Sequence, residues 1–165
     1  MKKPIIHERL TELVSYDPET GLFTWLVDKI RAKKGYLAGV TRPDGYIKIG
    51  LDGERYLAHR LAWFYIHGVW PSYDIDHING DRNDNSEKNL RCATRAQNLQ
   101  NSRRPNGRTS GFRGVYWSEQ KQAWKVQIRV NGSALHIGLF KDKQAAISAS
   151  IEAREKYHGV FANHG

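Results

Sequence analysis

The sequence contains almost no cysteine and no long apolar run. A single cysteine, Cys92, excludes an intramolecular disulfide framework and a zinc ribbon built on Cys-x-x-Cys pairs. No apolar stretch approaches the roughly 20 residues that span a bilayer. The N-terminus becomes charged before the apolar core of an export signal could form. We therefore expect a protein of a reducing cytoplasm that does not associate with membranes.

Acidic residues are scarce only in the last two fifths of the chain. Residues 1–98 carry 15 Lys and Arg against 13 Asp and Glu, a net charge of +2. Residues 99–165 carry 11 against 4, a net charge of +7, and so hold most of the total of +9. A basic excess concentrated in one region indicates a polyanionic partner, and nucleic acid is the partner we expect.

Turn and periodicity signals divide the chain into three pieces and predict an α+β protein. Residues 1–102 read as a mixed leader followed by a domain with its core at about 46–102. Asp52-Gly53 lies between two β-prone runs and predicts a hairpin with a primed turn. Residues 103–111 lack apolar periodicity and predict a linker. Residues 112–165 predict a second domain, a three-stranded antiparallel sheet packed on one helix.

The linker is basic as well as polar. Arg103 and Arg104 stand beside Pro105 in a stretch rich in Gly, Ser and Asn. We expect these two arginines to contact the phosphate backbone of DNA.

Residues 71–102 contain the candidate catalytic residues. The pattern predicts a strand over 73–78, a polar loop over 79–86, a return strand over 90–93 and then a helix. Thr94 and Gln97 have the spacing of a capping box, which would start that helix. The order is strand, loop, strand, helix.

Four polar residues occupy this frame at distinctive spacings. Asp76-His77 ends the first strand, Asn89 follows His77 by twelve residues, and Asn98 follows Asn89 by nine. The pattern resembles the HNH nucleases of the ββα-metal class, and in particular the phage and intron-encoded homing endonucleases. The resemblance implies a divalent-metal-dependent DNA endonuclease encoded by a phage or mobile element.

The roles that the resemblance implies agree with the chemistry of the side chains. A neutral imidazole accepts a proton near pH 7, so His77 is the expected general base. Asp76 and the side-chain oxygen of Asn98 are the expected ligands of one cation, Mg²⁺ or Mn²⁺. Asn89 is expected to orient His77 or to brace the hairpin loop. The third letter of the motif is often His in the family and is Asn98 here.

Other polar residues nearby are expected to be structural. His59 and His67 fall on a helix predicted over 59–66 and its end. The acidic loop residues Asp81 and Asp84 lack the spacing of a calcium-binding loop, so DNA contact or solvation is expected for them.

The third piece alternates strictly along Trp124–Val130, which places Trp124, Val126, Ile128 and Val130 on one face. Asn131-Gly132 predicts a turn, and Leu135, Ile137 and Leu139 are expected to continue the apolar face. A helix is expected from Asp142 to about His158.

This piece resembles the plant ethylene-response-factor (Apetala-type) DNA-binding domain over residues 112–160. In that family the sheet enters the major groove of double-stranded DNA. The resemblance, with strand alternation for Lys125, implies DNA contacts by Arg113, Tyr116, Lys125, Gln127, Arg129 and His136. Tyr116 and His136 stand where that family has Arg and Trp, so its base preference does not transfer.

Two functions of different classes follow from these patterns. The first is a site-directed HNH endonuclease whose C-terminal sheet reads DNA. The second is a DNA-binding regulator that keeps the HNH fold without activity, and the complete set of Asp76, His77, Asn89 and Asn98 argues against it. No feature of the sequence requires a protein partner.

Overall fold

The computed structural model describes residues 4–30, 32–101 and 110–164. The chain forms two compact units, Met1–Ala93 and Thr94–Gly165. The predicted domain boundaries lie at 102 and 112. Residues 102–109 lie outside the described residues, so these boundaries stay predictions. Arg103 and Arg104 fall in the same stretch. The α+β class predicted from the sequence is confirmed.

Over residues 4–30 and 32–93, the first unit contains two helices and seven short strands. The elements are α1 (His7–Leu13), β1 (Val14–Tyr16), β2 (Phe23–Trp25), β3 (Val40–Thr41), β4 (Ile47–Leu51), β5 (Glu54–Leu57), α2 (Ala58–His67), β6 (Asp74–His77) and β7 (Leu90–Ala93). Three small antiparallel sheets result, β1–β2, β3–β4–β5 and β6–β7. A single 3₁₀ turn, Glu87–Asn89, precedes β7.

The predicted hairpin at Asp52-Gly53 is confirmed. Both residues have positive φ, 48° and 83°. Positive φ at both central positions is the geometry of a primed turn, whose twist matches that of the flanking strands. The strands pair so that Leu51 lies opposite Glu54, directly across the turn.

One apolar core holds the first unit together. Leu10, Val14, Ile49, Leu51 and Leu61 are fully buried within it. These side chains come from α1, β1, β4 and α2, so the core joins the N-terminal elements to the helix that precedes the HNH motif. Burial of each large aliphatic side chain contributes about 1.5–3 kcal/mol.

The β1–β2 hairpin packs on the loop that follows β6. The Tyr16 hydroxyl donates to the backbone carbonyl of Asn85 at 2.8 Å, and the amide of Glu87 donates to the carbonyl of Pro18 at 2.8 Å. Burial raises the pKa of Tyr16. Gly21 has φ +73°, and a Cβ placed there would lie 2.3 Å from backbone atoms of Asn85 and Ser86. The N-terminal hairpin therefore fixes the backbone of the loop over residues 79–86.

In its described residues, the second unit is a three-stranded sheet with two helices. Its elements are α3 (Arg95–Asn101), β8 (Val115–Ser118), β9 (Ala123–Val130), β10 (Ser133–Phe140) and α4 (Lys143–His158), followed by a 3₁₀ turn at Gly159–Phe161. The strand order is β10–β9–β8, all antiparallel. Val115, Val126, Ala146 and Ile147 form the core between the sheet and α4. The predicted sheet on one helix is confirmed.

Both predicted helix starts in this unit are capped by side chains. The Thr94 amide donates to Gln97 Oε1 at 2.8 Å, and the Gln97 amide donates to Thr94 Oγ1 at 3.3 Å. This is the capping box that the sequence predicts. Asp142 accepts from the amide of Ala145 at the start of α4. None of the described helices is long and apolar enough to cross a membrane.

The expectation for Leu139 is wrong. The register of β10 against β9 shifts between His136 and Gly138, so that Ile137 forms a bulge. An extra residue reverses the alternation beyond it. Leu139 consequently lies opposite Lys125 and is 47% exposed, whereas Phe140 packs on the core.

The close approach of Gly21 to the loop generates a stability prediction. Gly21→Ala should destabilise the protein more than Gly68→Ala, although both glycines have nearly the same φ, +73° and +69°. Each alanine costs about 1–2 kcal/mol for the left-handed backbone. Only the Gly21 substitution adds overlap with the backbone of Asn85, which we expect to cost about 1–3 kcal/mol more.

Chemical denaturation of both variants measures the difference in unfolding free energy. Gly68 is the matched control because its Cβ position is open to 4 Å. Equal losses of stability in the two variants would show that the hairpin does not press on the loop.

Candidate active site

Asp76 and His77 occupy the last two positions of β6. This strand pairs with β7 so that Asp76 lies opposite Arg91 and His77 lies opposite Leu90. Both side chains are 4% exposed. A carboxylate and an imidazole buried at the end of a strand need polar partners, because an unpaired buried charge is very costly.

Arg91 is the partner of Asp76. Its Nε and Nη2 both donate to Asp76 Oδ2, at 2.8 and 2.7 Å. Charge-assisted hydrogen bonds of this length are about twice as strong as neutral ones. The sequence analysis did not name Arg91 as a site residue, although counting the register of the hairpin places it directly across from Asp76.

Asn85 holds the ring of His77. The Asn85 Nδ2 donates to the carbonyl of Asn83 at 3.1 Å, which sets the orientation of the amide. Its Oδ1 then faces His77 Nε2 at 3.2 Å and accepts a hydrogen bond from it. In the neutral ring the proton is therefore on Nε2 and the lone pair is on Nδ1.

Burial also favours the neutral form of His77. Burial away from solvent lowers the pKa of His77. The hydrogen bond to Asn85 and the negative charge of Asp76 raise it, with smaller effects. A neutral imidazole of defined tautomer is the form in which a histidine can accept a proton.

Sequence reasoning missed Asn85, which is fully buried. It lies in a run of polar residues, Asn79–Ser86, in which nothing in the sequence distinguishes it from its neighbours. Its burial depends on the Tyr16 hydroxyl and on Gly21, which are more than 60 residues away in the chain. Only the packing of the N-terminal hairpin singles it out.

Asn89 contacts the hairpin loop. Its Oδ1 accepts a hydrogen bond from the backbone N–H of Asn79 at 3.0 Å, and its Nδ2 donates to the backbone carbonyl of Asp84 at 2.7 Å. Of the two roles expected for Asn89, bracing the loop is the one that matches these contacts.

The acidic residues of the loop also hold its backbone. Asp81 accepts from the amide of Asn83 at 3.0 Å. Asp84 accepts from the hydroxyl of Ser86 at 2.6 Å and from its amide at 3.1 Å. The hydrogen bond from the Ser86 hydroxyl is the largest of the effects that lower the pKa of Asp84.

His59 lies against His77, a proximity that the sequence did not reveal. Their ring centroids are 5.0 Å apart with an edge-on arrangement, and the ring of Tyr46 contacts both. Burial lowers the pKa of His59 to about 3, so it is neutral near pH 7. His67, in contrast, is exposed, and its ring packs against Trp63 of the same helix at an angle of 43°.

The residues fit a hard divalent cation by the chemistry of their donors. A magnesium-type ion keeps several waters and needs only one or two carboxylates from the protein, and Asp76 supplies one. Within the described ranges, no group of three His, Cys, Asp or Glu side chains could hold a metal alone. The other expected ligand, Asn98, lies on α3 of the second unit. Its backbone N–H donates to the backbone carbonyl of Thr94.

Five of the residues expected to contact DNA share the outer face of the second unit's sheet. Tyr116 lies opposite Lys125, and Gln127 lies opposite His136. Lys125 Nζ lies 5.8 Å from the centroid of the Tyr116 ring. The face, away from α4, consists of Tyr116, Lys125, Gln127, Arg129 and His136.

Arg113 has a different environment from the other expected DNA contacts. Its guanidinium donates to the carbonyls of Leu99 and Gln100 at the end of α3, at 3.0 and 2.8 Å. These carbonyls belong to the negative end of a helix, where cations are stabilising.

Comparison with known proteins finds a family model that matches part of the chain. Residues 56–100, which include β6, β7 and the start of α3, match the family model described as HNH endonuclease. A solved structure titled "DNA binding and cleavage by the HNH homing endonuclease I-HmuI" is similar to 90% of this chain and 86% of that chain, with 19% identity and a TM-score of 0.43.

A curated relative covers much of the chain. Protein 3.8 of Escherichia phage T7 is 30% identical over 105 residues, which are 63% of this chain and 86% of that protein. The chain therefore belongs to the family of phage T7 Protein 3.8 and carries an HNH endonuclease domain at residues 56–100.

Proposed function

We propose that this protein is a homing-type, divalent-metal-dependent endonuclease that cleaves double-stranded DNA. The observation that carries the proposal is a buried His77 held by Asn85 in one tautomer, next to the buried carboxylate of Asp76. Both residues fall within the HNH-matched segment. The relative from phage T7 supports a phage or mobile-element origin and action in a bacterial cytoplasm.

His77 is the general base of the proposed reaction. Its Nδ1 carries the lone pair and takes a proton from the water that attacks the phosphodiester. Asn85 keeps the ring from rotating by accepting from Nε2. His59 and Tyr46 cover the ring and hold it at low polarity, so that the imidazole is neutral before the reaction begins.

One cation, Mg²⁺ or Mn²⁺, is proposed to be held by Asp76 and Asn98. When bound, it supplies positive charge for the phosphate and for the leaving oxygen. Arg91 fixes the carboxylate of Asp76 through two hydrogen bonds, so the ligand is preorganised. Asn89 keeps the 79–86 loop, and with it Asn85, in place.

DNA recognition is proposed for the outer face of the second unit's sheet. Charge supports this, because residues 99–165 carry a net +7. The family model covers residues 56–100, so the resemblance of residues 112–160 to the ethylene-response-factor domain stays a prediction. Arg113 remains a proposed DNA contact, and Arg103 and Arg104 remain proposed contacts of the DNA backbone.

Plasmid cleavage tests the proposed function. The wild-type protein should nick or cut plasmid DNA with Mg²⁺ and leave it intact with EDTA. His77→Ala should lower the single-turnover rate by about 10²–10⁴, the usual cost of losing a general base. DNA affinity should change little, because a neutral buried imidazole contributes little to phosphate binding.

His67→Ala is the matched control, since it removes an exposed histidine from the neighbouring helix. It should cleave at the wild-type rate. Retention of most activity by His77→Ala would overturn the assignment, and absence of cleavage by the wild-type protein would favour a DNA-binding regulator.

Metal titration tests the proposed ligands. Asp76→Ala and Asn98→Ala should each raise the Mg²⁺ concentration needed for half-maximal cleavage, because each removes an oxygen ligand. Mn²⁺ should partly restore Asn98→Asp. Glu19→Ala removes an exposed carboxylate from the first unit and should leave the metal titration unchanged. Unchanged half-activation in both alanine variants would show that the ion is held elsewhere.

Salt dependence of binding tests the sheet face. Lys125→Ala and Arg129→Ala should weaken duplex binding, and each should reduce the salt slope by roughly 0.9 if its side chain neutralises one phosphate. If Arg129 reads a base instead, it should cost about 1–3 kcal/mol at one position of the site. Lys156→Ala removes an exposed cation from α4 and should have little effect. Equal weakening by Lys125→Ala and Lys156→Ala would place the DNA surface elsewhere.

A further inference from the structure

A basic pocket lies within the second unit, between α3, the C-terminal half of β9 and the end of α4. Its volume is about 340 Å³, which falls in the range of small-molecule sites, roughly 300–1,000 Å³. Three arginines line it, Arg113, Arg129 and Arg154. Among the lining residues that the structure describes there is no Asp or Glu. Such a pocket is suited to an anion.

The C-terminal end of α3 stabilises two of these arginines. Arg113 donates to the carbonyls of Leu99 and Gln100, and Arg154 Nη2 lies 3.4 Å from the carbonyl of Gln100. Two guanidinium groups thus meet the negative end of one short helix. Burial lowers the pKa of Arg154 to about 10, and the charge of Arg113 adds to the effect. Arg154 therefore remains a cation near neutral pH.

The end of α3 provides no hydrogen-bond partner for two buried atoms of α4. Arg154 Nε and His158 Nδ1 are both buried and make no hydrogen bond to any part of the chain that the structure describes. Arg154 is 4% exposed and His158 is 8% exposed. A buried polar atom without a partner costs about 1–3 kcal/mol. Both residues line the pocket, so a ligand that enters it can satisfy both atoms after a small rotation of the two side chains.

The two atoms require opposite hydrogen-bonding partners. Arg154 Nε is a donor and needs an acceptor such as a phosphate oxygen. His158 Nε2 donates to the carbonyl of Arg129 at 2.8 Å, so Nδ1 of the neutral ring is an acceptor. Burial lowers the pKa of His158, which keeps the ring neutral. The occupant must therefore offer an anionic acceptor and a separate donor.

We propose that this pocket binds a single nucleotide, with its phosphate at the arginines and a base N–H or sugar hydroxyl at His158. Inorganic phosphate would satisfy Arg154 but offers no base. The pocket also has an aromatic wall, Tyr116, and an apolar wall, Ile128. Bases stack on aromatic rings, and each such stack contributes about 1–3 kcal/mol. Gln127 adds an amide that can read a base edge.

The nucleotide can come from two sources, a free nucleotide or one unit of a DNA strand. The chemistry of the pocket is the same for both. In either case the site is distinct from His77 and Asp76 of the first unit, and it does not depend on cleavage. All of the binding experiments are therefore done with the full-length protein in EDTA, where the proposed nuclease is inactive.

Arginine Nε–H resonances of ¹⁵N-labelled protein provide the test. Each deoxynucleoside 5′-monophosphate is titrated, and the Arg154 signal is assigned from its loss in Arg154→Met. Mononucleotides should shift that signal with one site per chain. Inorganic phosphate should bind at least tenfold more weakly, because it makes no stacking contact.

Two variants test the location. Arg154→Met should weaken mononucleotide binding at least tenfold. Ala96→Trp should do the same by filling the pocket without removing a charge, because Ala96 lies on the wall formed by α3. It also tests the site if Arg154→Met does not fold. Ala145→Trp, an exposed alanine at the start of α4, is the matched control and should bind like wild type.

A single-stranded oligonucleotide distinguishes the sources. If Ala96→Trp weakens both the oligonucleotide and the mononucleotide, the natural ligand is a nucleotide of a DNA strand. If only the mononucleotide is weakened, the ligand is a free nucleotide. The proposal is wrong if no mononucleotide shifts the Arg154 signal, if phosphate binds equally well, or if Ala96→Trp leaves mononucleotide binding unchanged. Failure of plasmid cleavage in Mg²⁺ would affect the proposed function alone.

Discussion

The hydrogen bond between His77 Nε2 and Asn85 Oδ1 is the contact on which the proposed chemistry depends. It puts the lone pair of the neutral imidazole on Nδ1. It exists only because the polar loop that contains Asn85 has a fixed backbone. That backbone is held from one side by Asn89 and from the other by the Tyr16 hydroxyl and the close approach of Gly21. The N-terminal hairpin is thus a structural part of the site.

Burial of charge imposes a second constraint. Asp76 is almost completely removed from solvent, and a lone buried carboxylate would be strongly destabilising. Arg91 compensates it from the opposite position of the hairpin, at 2.7 and 2.8 Å. His77 lies in the same buried environment, and burial lowers its pKa, so the ring is neutral and needs no acidic partner. Two adjacent residues therefore respond to one environment in opposite ways, as the proposed metal ligand and the proposed general base require.

The second unit separates its polar and apolar groups by strand alternation. Val115 and Val126 face α4, whereas Lys125 and Gln127 face away from it. The bulge at Ile137 adds an exposed leucine to the polar face. Near the C-terminal half of β9 the separation is incomplete, because Arg154 and His158 of α4 are buried and each has a polar atom that no described residue satisfies. Buried polar groups are usually paired, and this departure is the observation behind the proposed nucleotide pocket.

The sequence alone determined what depends on short spacings: the Asp52-Gly53 turn, the Thr94–Gln97 capping box, the strand that ends at His77, and the alternation of β9. Each of these is decided by residues within a few positions of one another, so local patterns suffice. Only the tertiary structure decided which asparagine contacts His77, that His59 lies beside it, and that Leu139 is exposed. Those outcomes depend on packing between distant segments and on one extra residue in a strand, and neither leaves a periodic signal. A polar loop reads the same in sequence whether its asparagines face water or, like Asn85, are buried against a hairpin more than 60 residues away.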